Sequence, residues 1–127
     1  MPSSILVDTD ILVDFLRGYN EAIEFINNFS SQIILSPIVV AELYAGVKGN
    51  DEMDVLNSFI SLFHVVPLDS EIAKVGGIYK RDFNKSHGVG LADAILAATA
   101  EIKQAELKTL NVKHYPMFQG LKPAYKK

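Results

Sequence analysis

Ile5-Leu6-Val7-Asp8-Thr9-Asp10 decides how this chain is read: three consecutive apolar residues run directly into a carboxylate and a hydroxyl. A run that is apolar at every position, rather than at alternate ones, is the pattern of a parallel strand covered on both faces. Ile11, Leu12, Phe15 and Leu16 then recur at helical spacing as far as Arg17-Gly18, so the opening unit is strand, turn, helix. Ligands of open parallel sheets collect beyond the carboxyl ends of the strands, where Asp8 falls. The same residues also have a purely structural use, since Asp8 or Thr9 can cap the following helix, with Thr9 the expected N-cap.

Outward from this unit the pattern repeats. A helix is expected over 20–29, with Ile23, Ile26 and Phe29 inward, and a second buried strand at Ile33-Ile34-Leu35. Ser36-Pro37 starts another helix: serine accepts from an early amide, and proline at the first helical position loses no hydrogen bond. Ile38 to Tyr44 is apolar on nearly every side except for Glu42. A scaffold helix carrying Val55, Leu56, Phe59, Ile60 and Phe63 follows, then a short strand at Val65-Val66. Asp69-Ser70 opens a helix ending near Phe83, and the polar segment 81–88 reads as an exposed connector. Leu91 to Ala98 is a helix of small and apolar residues whose one charge is Asp93, and 106–111 alternates like a strand. The tail over 122–127 reads as frayed. Strands separated by helices give an α/β fold, a parallel sheet of four or five strands with helices on both faces, in one domain over 1–127.

The 127 residues are 49% hydrophobic, enough for a single buried core. The absence of cysteine excludes disulfides, thiolate zinc sites and a cysteine nucleophile. No apolar run is long enough to span a membrane, and the start lacks a secretory pattern, so a cytoplasmic protein is expected. A net charge of −3 builds no general attraction to nucleic acid into the surface. Local basic clusters would have to supply it.

Asp8, Glu42 and Asp93 share one anomaly, a charge near a helix start inside apolar sequence. Buried carboxylates need a partner, and lysine and arginine here lie mainly in polar stretches. A divalent cation suits carboxylate oxygens better, and magnesium characteristically takes one or two of them while keeping several waters. The competing reading is that each acid is a helix cap or a dipole-compensating surface residue. Asp10 and Asp14 are expected to be helix-surface acids.

Taken together, Asp8-Thr9-Asp10-Ile11-Leu12 after a strand, Ser36-Pro37 with Glu42, Leu91-Ala92-Asp93-Ala94-Ile95, and Thr109-Leu110-Asn111 with His114-Tyr115 resemble the PIN domain. More narrowly, the chain resembles the VapC-type toxins of bacterial and archaeal toxin–antitoxin pairs, over nearly its whole length. The resemblance implies a three-layer α/β/α sandwich and a metal-dependent ribonuclease in which Asp8, Glu42 and Asp93 ligate Mg2+ or Mn2+. It also implies that Thr9 and Thr109 hold carboxylates or water in place, and that Asn111 occupies a fourth, often acidic, catalytic position. Three formal charges then favour one tightly held ion.

An RNA substrate, a cognate antitoxin and a homodimer follow from the same resemblance, with Phe15, Leu16, Tyr44 and Phe59 apolar enough to serve protein contacts. Lys80, Arg81 and Lys85, with Lys74 before them, precede the Asp93 helix and are the expected RNA contacts. Two alternatives stand beside this reading: a catalytically weak PIN module acting by binding, and a phosphatase with Asp8 as nucleophile and Asp10 as acid.

Overall fold

The structure is a computed structural model that describes residues 3–127. Four short strands, β1 (Ile5–Val7), β2 (Ile33–Leu35), β3 (His64–Val65) and β4 (Glu106–Lys108), form one parallel sheet in the order β3-β2-β1-β4. Six helices flank it: α1 (Thr9–Leu16), α2 (Asn20–Phe29), α3 (Pro37–Ala45), α4 (Asn50–Ile60), α5 (Ser70–His87) and α6 (Leu91–Ile102). All three residues of β1 are buried, so neither face of this strand meets water. That is the arrangement its uninterrupted apolar run requires.

Strand order also fixes where a ligand would sit. From β1 the chain steps to β2 and β3 on one side and returns to β4 on the other. The direction of winding reverses at the β1–β4 junction, where open α/β sheets form their crevices.

Local chemistry explains three of the helix starts. Ser36 Oγ accepts from Ile38 N at 3.1 Å with Pro37 at the first helical position, and Asp69 Oδ1 accepts from Ile72 N at 2.9 Å. The first boundary differs from expectation. Asp8, not Thr9, is the N-cap of α1, its Oδ1 accepting from Thr9 N at 2.7 Å. Helix α5 likewise runs through the segment expected to be a connector, as far as His87. Tyr79, Phe83 and His87 are spaced four apart and continue one ring-lined face along it. It stops only at Gly88, which takes the left-handed conformation at φ 61° and donates to Asn84 O. The strands at 65–66 and 106–111 are shorter than expected or shifted by one residue, as strand ends are where pairing rather than pattern decides.

The two longest helices, α5 and α6, approach closely because Gly76 has no side chain. A Cβ there would lie 2.9 Å from Ile95 Cγ1 and 3.1 Å from Ile95 Cα. The tail is not frayed. Ala124 N donates to Thr109 O at 3.0 Å, and Leu121, Ala124 and Tyr125 pack on the core. Tyr125 OH donates to Asp14 Oδ2 at 2.8 Å, and Lys127 Nζ lies 3.2 Å from its Oδ1. Asp14 is therefore a buried acid at 7% exposure rather than a surface one. The tail supplies its donors from the far end of the chain.

Candidate active site

The site grows from the register of β1 and β4. Val7 pairs with Lys108, and Asp8 N donates to Lys108 O at 2.9 Å, so Asp8 and Thr109 leave the sheet side by side. The fully buried Thr109 hydroxyl donates to Asp8 Oδ2 at 2.8 Å and stands 3.2 Å from Asp10 Oδ2. Tyr115, also without exposed surface, places its hydroxyl 2.7 Å from Asp8 Oδ2 and 3.2 Å from Asp93 Oδ1. Asp93 lies in the first turn of α6, where the helix dipole favours a negative charge. His114 Nδ1 approaches its other oxygen at 3.5 Å.

Glu42 joins from α3. It is exposed and sits in the second half of that helix, not at its start, and Thr9 Oγ1 donates to its Oε1 at 2.7 Å. Asp10, expected on the surface, is instead bound into the β4 end. Its Oδ1 accepts from Ile11 N, and its Oδ2 accepts from Leu110 N at 2.9 Å and Asn111 Nδ2 at 3.1 Å. Asn111 therefore touches the acidic group through Asp10.

These acids raise one another's proton affinity. Asp10 is pushed up to about 6 by burial and then by the Asp8 charge, against the pull of the Leu110 and Ile11 amides and Thr109. Asp93 is raised first by burial, then by Asp8 and Glu42, with His114 and Tyr115 opposing. The Tyr115 phenol is driven far above its ordinary range by burial and by Asp8 and Asp93, so it remains a donor. Among the described residues no lysine or arginine pairs with Asp8, Asp10, Glu42 or Asp93.

An oxygen-rich, uncompensated negative cluster matches the donor chemistry of a hard divalent cation. Among the described residues no three histidine or acidic side chains form a ready-made cage. That suits an ion held by one or two carboxylates with waters completing its shell.

Of the residues expected from sequence, Asp8, Asp93, Thr9, Glu42 and Thr109 form one hydrogen-bonded group or interact through their charges, and Asn111 joins at its edge. Lys80 does not belong there. Its Nζ donates to Asn84 Oδ1 at 2.8 Å and Val89 O at 2.7 Å, which ties the end of α5 to the α6 approach. Arg81 and Lys85 are exposed, and Arg81 pairs with Asp82 at 2.9 Å. Sequence reasoning missed Asp10 and Tyr115 as members of the group. The available signals were Asp10's place two residues after Asp8 and Tyr115's place just beyond the polar end of β4.

A parallel α/β sheet with acidic residues gathered at its winding reversal is the architecture of the PIN domain. The PIN domain model matches residues 5–114, and the chain belongs to that family. It is 41% identical over 125 residues to Ribonuclease VapC19 of Mycobacterium tuberculosis, covering 94% of this chain and 98% of that protein. It is 36% identical over 124 residues to Ribonuclease VapC10 of the same species, covering 95% and 92%. Among solved structures, a chain of a toxin–antitoxin complex from Klebsiella pneumoniae superposes with a TM-score of 0.84 at 27% identity, covering 98% of this chain and all of that one.

Proposed function

We propose that this chain is a Mg2+- or Mn2+-dependent ribonuclease and the toxin of a toxin–antitoxin pair, with Asp8, Glu42 and Asp93 holding the ion directly or through its waters. The observation that carries the reading is the convergence of these acids and Asp10 at the β1–β4 junction with no lysine or arginine to neutralise them. Its relatives' ribonuclease names and the toxin–antitoxin title of its structural neighbour support the same activity and setting.

A bound divalent cation supplies charge neutralisation at the phosphodiester and a more acidic water. The protein's part is placement. Thr109 and Tyr115 fix Asp8 through one oxygen and Thr9 N holds the other, so the carboxylate cannot rotate. Thr9 orients Glu42. Asn111 and Leu110 hold Asp10, which through Thr109 braces Asp8. Hydrolysis joins a water oxygen to phosphorus while the bond to the leaving ribose oxygen breaks and that oxygen gains a proton. Arg81 and Lys85 serve as phosphate contacts; Lys80, committed to Val89 O, is withdrawn from that role. The phosphatase alternative has no role for Glu42, which Thr9 Oγ1 ties to the group, and its acid, Asp10, is bound by the Leu110 amide and Asn111.

A groove of about 600 Å3 runs from Glu42 between α1, α3 and α4, lined by Val13, Leu16, Val55 and Leu56. It offers an antitoxin segment an apolar bed ending at the acidic site. Of the residues expected to serve protein contacts, Leu16 is exposed on this groove, whereas Phe59 is buried in the core with Phe15 stacked on it; exposed Leu91 adds apolar surface for a homodimer. No helix among the described residues is long and apolar enough to cross a membrane.

The test is cleavage of a structured RNA pool by the purified chain with magnesium, manganese or chelator, beside Asp8→Asn and Asp93→Asn. Metal-dependent cutting that falls at least about a hundred-fold in both variants is expected, the usual scale for losing a group that stabilises the transition state. Cutting that survives both substitutions, or a folded parent that never cuts, overturns the proposal.

A further inference from the structure

Among the described residues, Tyr115 is the one whose side chain reaches two of the proposed metal-binding acids, from a position 107 residues beyond Asp8 and 22 beyond Asp93. Its ring is fully buried, and both hydroxyl contacts are carboxylate oxygens. One phenol carries one proton. The 2.7 Å contact marks Asp8 as its main acceptor, and the 3.2 Å contact leaves Asp93 a weaker share. The hydroxyl thus engages one oxygen of each acid, while the other oxygens are Asp8 Oδ1, which accepts from Thr9 N, and Asp93 Oδ2, 3.5 Å from His114 Nδ1.

We propose that Tyr115 is a positioning residue for the metal site: it sets the separation and rotation of Asp8 and Asp93 before a cation arrives, and so raises the affinity of the site. The inference rests on the metal-dependent reading above. Two carboxylates of like charge would otherwise turn away from each other, and a cation would have to draw them together at the cost of its own binding energy. A hydrogen-bonded partner behind metal-binding carboxylates characteristically contributes 10- to 100-fold in metal affinity or activity. A phenylalanine ring would fill the same buried volume without this effect.

Tyr115→Phe removes only the hydroxyl. The experiment is calorimetric titration of Mn2+ into the chelator-stripped full chain, parent against Tyr115→Phe, with circular dichroism establishing that the variant is folded. The expected result is an Mn2+ dissociation constant about ten-fold or more above the parent's, together with RNA cleavage that recovers toward the parent rate as Mn2+ is raised. Damage to packing alone would not be rescued by metal. A variant that binds Mn2+ as tightly as the parent overturns the inference while leaving the ribonuclease reading intact. A parent with no Mn2+ affinity overturns both.

Discussion

Two adjacent glycines in α5 give opposite responses to the same substitution. At Gly76 an added methyl would meet Ile95 Cγ1 at 2.9 Å and, more seriously, Ile95 Cα at 3.1 Å; at Gly77 it meets nothing within 4 Å. A side chain can swing aside, but a Cα moves only if its helix moves. Alanine gains about 1 kcal/mol over glycine in a helix interior, and both variants receive this. The difference between them therefore isolates the steric penalty, about 1–3 kcal/mol for overpacking a tight contact. Gly77→Ala is expected to stabilise by roughly 0.5–1 kcal/mol, and Gly76→Ala to fall below it by the full steric penalty. At about 4 °C per kcal/mol for a chain of this length, their melting temperatures should differ by roughly 4–12 °C.

The consequence reaches the site, because Ile95 lies two residues beyond Asp93 on the same helix. Displacing α6 should lower RNA cleavage in Gly76→Ala and leave Gly77→Ala near the parent. Calorimetric melting and initial cleavage rates measure both effects. If Gly76→Ala melted at or above Gly77→Ala, the close approach of α5 and α6 would not be as described, and the reasoning would fail.

Tyr125→Phe leaves buried Asp14 with Lys127 as its remaining side-chain partner, and should cost about 1–3 kcal/mol in urea unfolding at neutral pH. The Tyr125 phenol is raised above its ordinary 10.0 by burial and by Asp14, so its contribution is complete below pH 10 and is lost as pH rises beyond it. The parent should accordingly lose more stability between pH 9 and pH 11 than Tyr125→Phe; equal losses would remove Tyr125 from the account. Lys85→Ala should weaken RNA binding and flatten its salt dependence by about one charge. Lys80→Ala should lower the melting temperature without changing that slope, because its ammonium already serves Val89 O; a changed slope in binding assays would return Lys80 to the RNA surface.

Sequence alone determined the elements whose signals are local. An unbroken apolar run at 5–7 means a strand with two covered faces, Ser36-Pro37 means a helix start, and the inward residues of 20–29 recur at one helical period. Each depends on neighbours within a few positions, where backbone geometry dictates pattern. The family resemblance carried Asp8, Glu42, Asp93 and Thr109 to the same place, and the structure joins Thr109 to Asp8 and Glu42 to Thr9.

Tertiary structure alone decided the environment of Asp10 and Asp14, the use of Tyr115 and the docking of the tail. Their partners lie 99 to 113 residues away for the two acids and 107 for Tyr115 with Asp8. A charged residue in an amphipathic helix has the same local pattern whether it meets water or a buried hydroxyl. The strand register that brings Thr109 to Asp8, and with it the chain leading on to Tyr115 and Tyr125, exists only after the sheet has closed on β4. For the same reason Lys80 looked free on the solvent side of its helix: its contact with a carbonyl nine residues on depends on how the chain turns beyond His87, which local pattern does not record.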